Sequence, residues 1–228
     1  MTGNLYSGLL DFNEMGLIIH FLRKEDLFFD IGANVGIYTL IASGIGGAAT
    51  RSFEPVPDTY AILKGNIVIN NLEEKVQLYN MGVGEENEVL EFSSDQDTEN
   101  TVVNSDYTGR KVKVKIIKLD DEFSQQINQC TVLKIDTEGF EDKVLAGSAA
   151  ILSSAHVKMI IVEMNKPEKI KRILAASGFL PYTYDAITRN LLQTDYDAGN
   201  MIFIKDVDFV RSRISTAGRT EIRKGQFI

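Results

Sequence analysis

The chain has 228 residues, 44% hydrophobic and 25% charged, a balance that suits a soluble globular fold and is too polar for an integral membrane protein. A net charge of −8 and a pI near 4.9 argue against a nucleic-acid partner, which needs a basic face. One cysteine, Cys130, leaves no internal disulfide and no CxxC metal site, so it reads as a small buried hydrophobe of a protein kept in the reducing cytoplasm.

Residues 1–25 predict an N-terminal helix: Leu17, Ile18, Phe21 and Leu22 share one face behind Asn13, a candidate N-cap. Met1 to Gly16 has no basic stretch followed by an apolar run, and no segment approaches the roughly 18 apolar residues of a membrane span. Leu27 to Ile31 form an apolar strand, Gly32 to Gly36 a turn, and Ile37 to Ser43 a short helix. A second strand ends at Arg51-Ser52-Phe53-Glu54, and a helix from Asp58 sets Tyr60, Leu63 and Ile67 at helical spacing. Val76 to Met81 make a third strand. The period then changes to two: Val112, Val114 and Ile116 alternate with lysines, and Val89 and Phe92 mark a partner strand, so residues 85–118 read as an inserted β-hairpin. Its polar connection, Ser93 to Gly109, is too long for a tight turn and carries Tyr107.

Thr131 to Asp136 is the fourth core strand, followed by one helix bearing Phe140, Val144, Leu145 and Leu152. Met159 to Glu163 is the fifth, and Pro167 and Gly178 bracket the next helix. Phe179 to Tyr184 and Met201 to Lys205 form a closing pair across Thr188-Arg189-Asn190, and residues 206–228 are a helical tail. In that tail Arg211, Arg213, Arg219, Arg223 and Lys224 suit a solvated helix better than a nucleic-acid arm. The whole, 1–228, is one α/β domain built on a doubly wound, mainly parallel, Rossmann-like sheet covered on both faces, with one antiparallel member from the late strand pair.

The segment Asp30-Ile31-Gly32-Ala33-Asn34-Val35-Gly36 closes an apolar strand and opens a helix, the place where glycine-rich loops hold nucleotide-like ligands. Gly32 allows the tight turn, and Asn34 is one of the few non-glycine residues that tolerates a left-handed backbone. Glu54, 18 residues beyond Gly36, ends the second strand where a carboxylate takes ribose hydroxyls, and Pro55 keeps it extended. Asp30 would repel a pyrophosphate and suits a ligand with an amino group and a sulfonium, which favours S-adenosylmethionine over NAD.

DIGANVGIYTL, FEPVPDTYAILKGNIVIN, LKIDTEGFEDKVLAG and IIVEM, in that order between Leu27 and Met164, resemble the FkbM-type methyltransferases. The resemblance implies a seven-stranded class I methyltransferase fold and O-methylation, commonly of sugar or natural-product hydroxyls. It implies a small-molecule or glycan acceptor.

Asp136 and Glu163 end the fourth and fifth strands, so Asp30, Glu54, Asp136 and Glu163 should share one crevice at the carboxyl edge of the sheet. Glu138, Glu141 and Asp142 sit at a helix N-terminus, where acids gain about 0.3–1 kcal/mol from the dipole, and for Glu141 and Asp142 that account suffices. Asp136 and Glu138 are assigned to catalysis, since an acceptor hydroxyl must be oriented and lose its proton. The same oxygens, with Glu163, could instead hold a divalent cation such as Mg²⁺. His20 and His156 read as structural, and Lys134, inside an apolar strand, either reaches a carboxylate or snorkels. An NAD-dependent oxidoreductase and a non-catalytic adenosyl-ligand binder remain alternatives on the same architecture.

Overall fold

The computed structural model describes residues 9–95, 101–103, 106–195, 199–223 and 225–228. Lys224, the first eight residues and part of the Ser93–Gly109 connection lie outside the described residues. Helix α1 spans Phe12–Phe21 and is preceded by Asp11; Asn13 lies inside it and its Oδ1 accepts the Ala186 N–H at 3.1 Å, so it is not the cap.

Strands β1 (Leu27–Ile31), β2 (Ala49–Phe53) and β3 (Val76–Tyr79) run parallel, joined by α2 (Ile37–Leu40, continued by a π-helical turn) and α3 (Pro57–Ile69). Strands β7 (Thr131–Ile135) and β8 (Val157–Glu163) extend the sheet on the other side of β1. Every residue of β1 and of β7 is buried, which is why neither alternates and both read as apolar runs interrupted by one charge each, Asp30 and Lys134. Alternate side chains feed two cores: Phe28 and Val132 pack with α1, while Phe29, Ile31, Leu133 and Ile135 pack with the helices that follow β7. Those helices are α5 (Glu141–Ala146), α6 (Ala149–Ser153) and α7 (Pro167–Ala176); α4 (Leu119–Phe123) adds Leu119 and Phe123 to the same layer. The single helix expected after β7 is broken at Gly147, where a Cβ would stand 2.0 Å from the Gly84 carbonyl oxygen.

The sheet has eight strands rather than seven. After β9 (Leu180–Asp185), the Thr188–Asn190 turn leads into β10 (Asn190–Gln193), an edge strand, and not directly to β11 (Asn200–Ile204). β11 lies antiparallel between β8 and β9, as the closing pair required. The insertion is also larger than a hairpin: β5 (Glu88–Ser93) pairs antiparallel with β6 (Lys111–Ile117), and β4 (Gly82–Val83) joins β6 in parallel. The tail is helical only in α8 (Val207–Ser215) and ends in the short strands β12 (Glu221–Arg223) and β13 (Gln226–Phe227). Nor is Arg213 a solvated cation: it pairs with the fully buried Asp26 and lies over the rings of Phe21 and Phe209 at 5.2 and 4.8 Å.

Strand order reverses between β1 and β7, so the loops leaving their carboxyl ends part to opposite faces and open a crevice there.

Candidate functional site

The ends of four strands, β1, β2, β3 and β7, are locked together at this crevice by backbone hydrogen bonds that continue the ladders. Gly32 and Ala33 N–H donate to the Phe53 carbonyl at 3.0 and 2.9 Å, Glu54 N–H to Tyr79 at 3.0 Å, and Asp136 N–H to Ile31 at 3.0 Å. Gly32 is forced from within the protein: its φ is +78°, and a Cβ would lie 1.7 Å from the Asp136 carbonyl oxygen. Asn34 adopts φ +51°, the left-handed geometry its side chain was expected to tolerate, and its Oδ1 accepts the Val35 N–H at 2.8 Å.

Glu54 is 6% exposed. Its Oε2 accepts the Asn34 N–H at 3.0 Å and its Oε1 the Val56 N–H at 2.9 Å, so the carboxylate braces the glycine turn. Burial raises its pKa from 4.5 to about 7, opposed by those two N–H donors and reinforced by nearby Asp30. Each oxygen keeps lone-pair capacity for a hydroxyl donor.

The cleft is lined by Gly32, Asn34, Glu54, Pro55, Asp136 and Glu138, six of the residues expected from sequence. Other expected residues stand behind it. Asp30, 2% exposed, accepts the Thr39 hydroxyl at 2.5 Å, and burial pushes it up to about 6. Ala33 packs with Leu63 and Ile67 beneath the turn, and Gly36, at φ +92°, caps α2. Glu163 lies off the cleft, hydrogen-bonded by Asn165 at 2.6 Å, and is pushed up to about 7 by burial and by the charge of Asp136. Sequence reading missed the apolar wall of Phe53, Val83, Phe92 and Phe140, together with Gly82 and Thr59. The Gly82-Val83-Gly84 run was the available signal: a Cβ on Gly82 would meet Ile116 at 2.6 Å, one on Gly84 the same side chain at 2.8 Å.

The turn after β7 is built with care on its inner side. Lys134, 1% exposed, reaches Asp136 Oδ2 at 2.8 Å, which decides between its two expected roles. Its ammonium also faces the Tyr38 ring, 5.1 Å from the centroid. Glu141 is fully buried, and its Oε1 accepts the N–H groups of Thr137 and Gly139 at 2.9 and 3.0 Å. It therefore organises the turn, beyond the helix-dipole role assigned from sequence. Glu138 sits at φ +52°, a geometry that costs of order 1–3 kcal/mol in a non-glycine residue. Asp142 is tied to Lys166 and Lys169 at 2.7 and 2.6 Å and takes no part in the cleft.

Among the described residues no group of three His, Cys, Asp or Glu side chains is placed to hold a metal, so the expected divalent-cation site on Asp136, Glu138 and Glu163 is not supported. His20 shares a 2.7 Å hydrogen bond with Tyr184 in the core and is held down to about 4 by burial, and exposed His156 stands at the opposite edge of the sheet. Cys130 is half-buried beside the core, its thiol pushed up to about 12 by burial. Among the described residues no helix is long and apolar enough to cross a membrane.

Residues 30–198 match the family model for the methyltransferase FkbM domain, the stretch that carries every group of this cleft. The chain belongs to the FkbM methyltransferase family. Among curated relatives, the 31-O-demethyl-FK506 methyltransferase FkbM of Streptomyces tacrolimicus is 26% identical over 159 residues, 55% of this chain and 60% of that protein. The hexuronic acid methyltransferase AglP of Haloferax volcanii is 26% identical over 163 residues, 70% of this chain and 65% of its own length. The chain thus spans less than two thirds of either relative. A crystal structure of methyltransferase FkbM from Methylobacillus flagellatus superposes with a TM-score of 0.57 at 14% identity, covering 87% of this chain and 47% of that one. The sheet is accordingly the Rossmann-like sheet of class I methyltransferases.

Proposed function

We propose that the chain is an S-adenosylmethionine-dependent O-methyltransferase of the reducing cytoplasm, acting on a hydroxyl of a sugar, glycan or natural product. The observation that carries this reading is the meeting, in one cleft at the switch point, of a glycine turn, a strand-end glutamate and an acidic turn. The cleft is divided to suit such a ligand. Phe53, Pro55, Val83, Phe92 and Phe140 offer an apolar wall for a purine, Glu54 accepts ribose hydroxyls, and Asn34 with Gly32 lines the path between them. Names of the relatives support the acceptor class, one being a 31-O-demethyl compound's methyltransferase and the other a hexuronic acid methyltransferase.

When bound, S-adenosylmethionine supplies an electrophilic methyl carbon beside a sulfonium. Asp136 and Glu138 would face the acceptor hydroxyl, one carboxylate orienting it while the other takes its proton. Lys134 fixes the Asp136 carboxylate through its 2.8 Å contact, and Glu141 fixes the backbone between the two acids. A thermal scan tests the cofactor: S-adenosylmethionine and S-adenosylhomocysteine should each add RT ln(1 + [L]/Kd) to the stability and so raise the midpoint, and NAD should not. A midpoint that moves with NAD alone would replace methyl transfer by hydride transfer.

A further inference from the structure

The turn between β7 and α5 is gripped from outside as well as from within. Thr101 donates its hydroxyl hydrogen to the Glu138 carbonyl oxygen at 3.0 Å. Thr101 belongs to the long connection between β5 and β6, far from the turn in sequence. Residues 101–103 of that connection are themselves anchored: Thr101 N–H donates to the Ser93 hydroxyl at 3.0 Å, Ser93 N–H to the Thr101 carbonyl at 2.9 Å, and Val103 N–H to the Glu91 carbonyl at 2.9 Å. Ser93 is fully buried, and Val102 bridges to Phe92, which lines the cleft. The hydroxyl of Thr101 is thus presented by a backbone paired to the insertion's own sheet. It has one hydrogen to give, and Glu138 receives it.

What it holds is a strained point. Glu138 and Gly139 are consecutive left-handed residues, at φ +52° and +96°, and a non-glycine residue keeps such geometry only where its surroundings over-determine it. Glu141 grips the N–H groups on either side of Glu138, and Lys166 donates to the Gly139 carbonyl at 2.9 Å. The Glu138 carbonyl is the remaining handle on that peptide plane, and turning the plane would swing the Glu138 side chain away from its place on the cleft wall.

We propose that Thr101 is a positioning residue of the acceptor site: by holding the Glu138 carbonyl it keeps the Asp136–Gly139 turn in its working geometry and makes the insertion part of the site. This rests on the reading of Asp136 and Glu138 as acceptor-side groups. The test compares Thr101→Val, which removes the hydroxyl at nearly constant volume, with Thr101→Ser, which keeps it. Amide hydrogen exchange of the ligand-free full chain, read on a peptide covering 136–140, should be roughly fivefold faster in Thr101→Val, the factor for one lost hydrogen bond. Thr101→Ser should exchange as the wild type, and β1 and β8 should be unchanged in both. With tritiated S-adenosylmethionine and a panel of methyl glycosides, kcat should fall in Thr101→Val alone, with affinity for S-adenosylhomocysteine unaltered. Unchanged exchange in Thr101→Val, or a serine variant as fast as the valine, overturns the proposal. Failure of the underlying function shows separately, as a wild-type chain that binds no S-adenosylhomocysteine while its 136–140 exchange still responds to residue 101.

Discussion

Protonation of Glu54 should govern the affinity of the cleft for an adenosyl ligand across neutral pH. Ribose hydroxyls donate hydrogen, so they favour the carboxylate and disfavour the acid. With its pKa raised to about 7 by burial, Glu54 is mostly ionised at pH 8 and only about one-tenth ionised at pH 6. Apparent affinity scales with the competent fraction, so Kd for S-adenosylhomocysteine should be about tenfold weaker at pH 6 than on the plateau near pH 8. Asp30, pushed up to about 6 and also buried, adds its own dependence below that value, so the window from 6 to 8 belongs mainly to Glu54. In the ligand-free protein the sign is reversed. A carboxyl with a raised folded pKa binds its proton more tightly folded than unfolded, so its contribution to stability is complete below about 4.5 and is lost as pH rises through about 7. The full difference is on the order of 3 kcal/mol.

Titration calorimetry across pH 6 to 8.5, repeated in buffers of different ionisation enthalpy, reads both the affinity and the proton released. Glu54→Gln should bind more weakly than wild type by about 1.5–3 kcal/mol near pH 8 and lose the slope, so that the gap narrows by about 1.4 kcal/mol at pH 6. It keeps one acceptor oxygen but turns an amide against the N–H of Asn34 or Val56, so some loss of stability accompanies it. Glu54→Ala is the poorer test, because it leaves both donors unpaired in a buried turn, at about 1–3 kcal/mol each. A wild-type Kd that is flat between pH 6 and 8, or a slope that survives in Glu54→Gln, would refute this account.

Asp136→Asn and Glu138→Gln should lower turnover by about 10²–10⁴-fold with cofactor affinity nearly intact, as expected for groups that take a proton in the transition state. Near-normal turnover of both on a verified acceptor would leave proximity to carry the reaction, and an EDTA-sensitive activity restored by Mg²⁺ would reinstate a metal. Gly32→Ala should destabilise the ligand-free fold by about 2–4 kcal/mol, since its methyl meets the Asp136 carbonyl and its φ is +78°. That corresponds to a fall of roughly 4–16 °C in melting midpoint for a chain of this size, and a midpoint within a degree of wild type would show that the β7 turn yields.

The parallel strands were legible because burial on both faces leaves no room for alternation: Leu27–Ile31 and Thr131–Ile135 are wholly buried and read as apolar runs. The glycine turn was legible for a related reason. Gly32 and Asn34 satisfy local backbone requirements, φ +78° and +51°, that few other residues meet. β10 was hidden because an edge strand buries little: of its four residues only Leu191 is buried, so no periodic pattern announces it. The break between α5 and α6 was hidden because its cause is remote, the Gly84 carbonyl pressing on Gly147 from the far side of the insertion.

The acidic residues divide along the same line between local and remote causes. Position along the strands was enough to bring Glu54, Asp136 and Glu138 to one cleft, since the residues that follow a parallel strand lie at the carboxyl edge whatever their neighbours. What each acid touches was not given by position. Glu141 looked like a helix-terminal acid and proves to be a buried clamp on Thr137 and Gly139, because the turn folds back over it. Asp30 looked like a ligand contact and is instead covered by the turn it precedes, bonded to Thr39. On the proposed function its charge would act on the sulfonium through space, across a buried region where charges are poorly screened. The apolar half of the cleft depends still more on tertiary pairing. Val83 and Phe92 reach it only because β4 lies beside β6 with Gly82 opposite Ile116, a register fixed by residues more than thirty positions apart. The insertion, which sequence patterning treats as an appendage, thereby supplies Val83 and Phe92 to the apolar wall and the threonine that holds Glu138. Variation in its loop should on this argument alter acceptor handling through Thr101 and Glu138, while Glu54, held by the N–H groups of Asn34 and Val56, keeps the ribose side fixed.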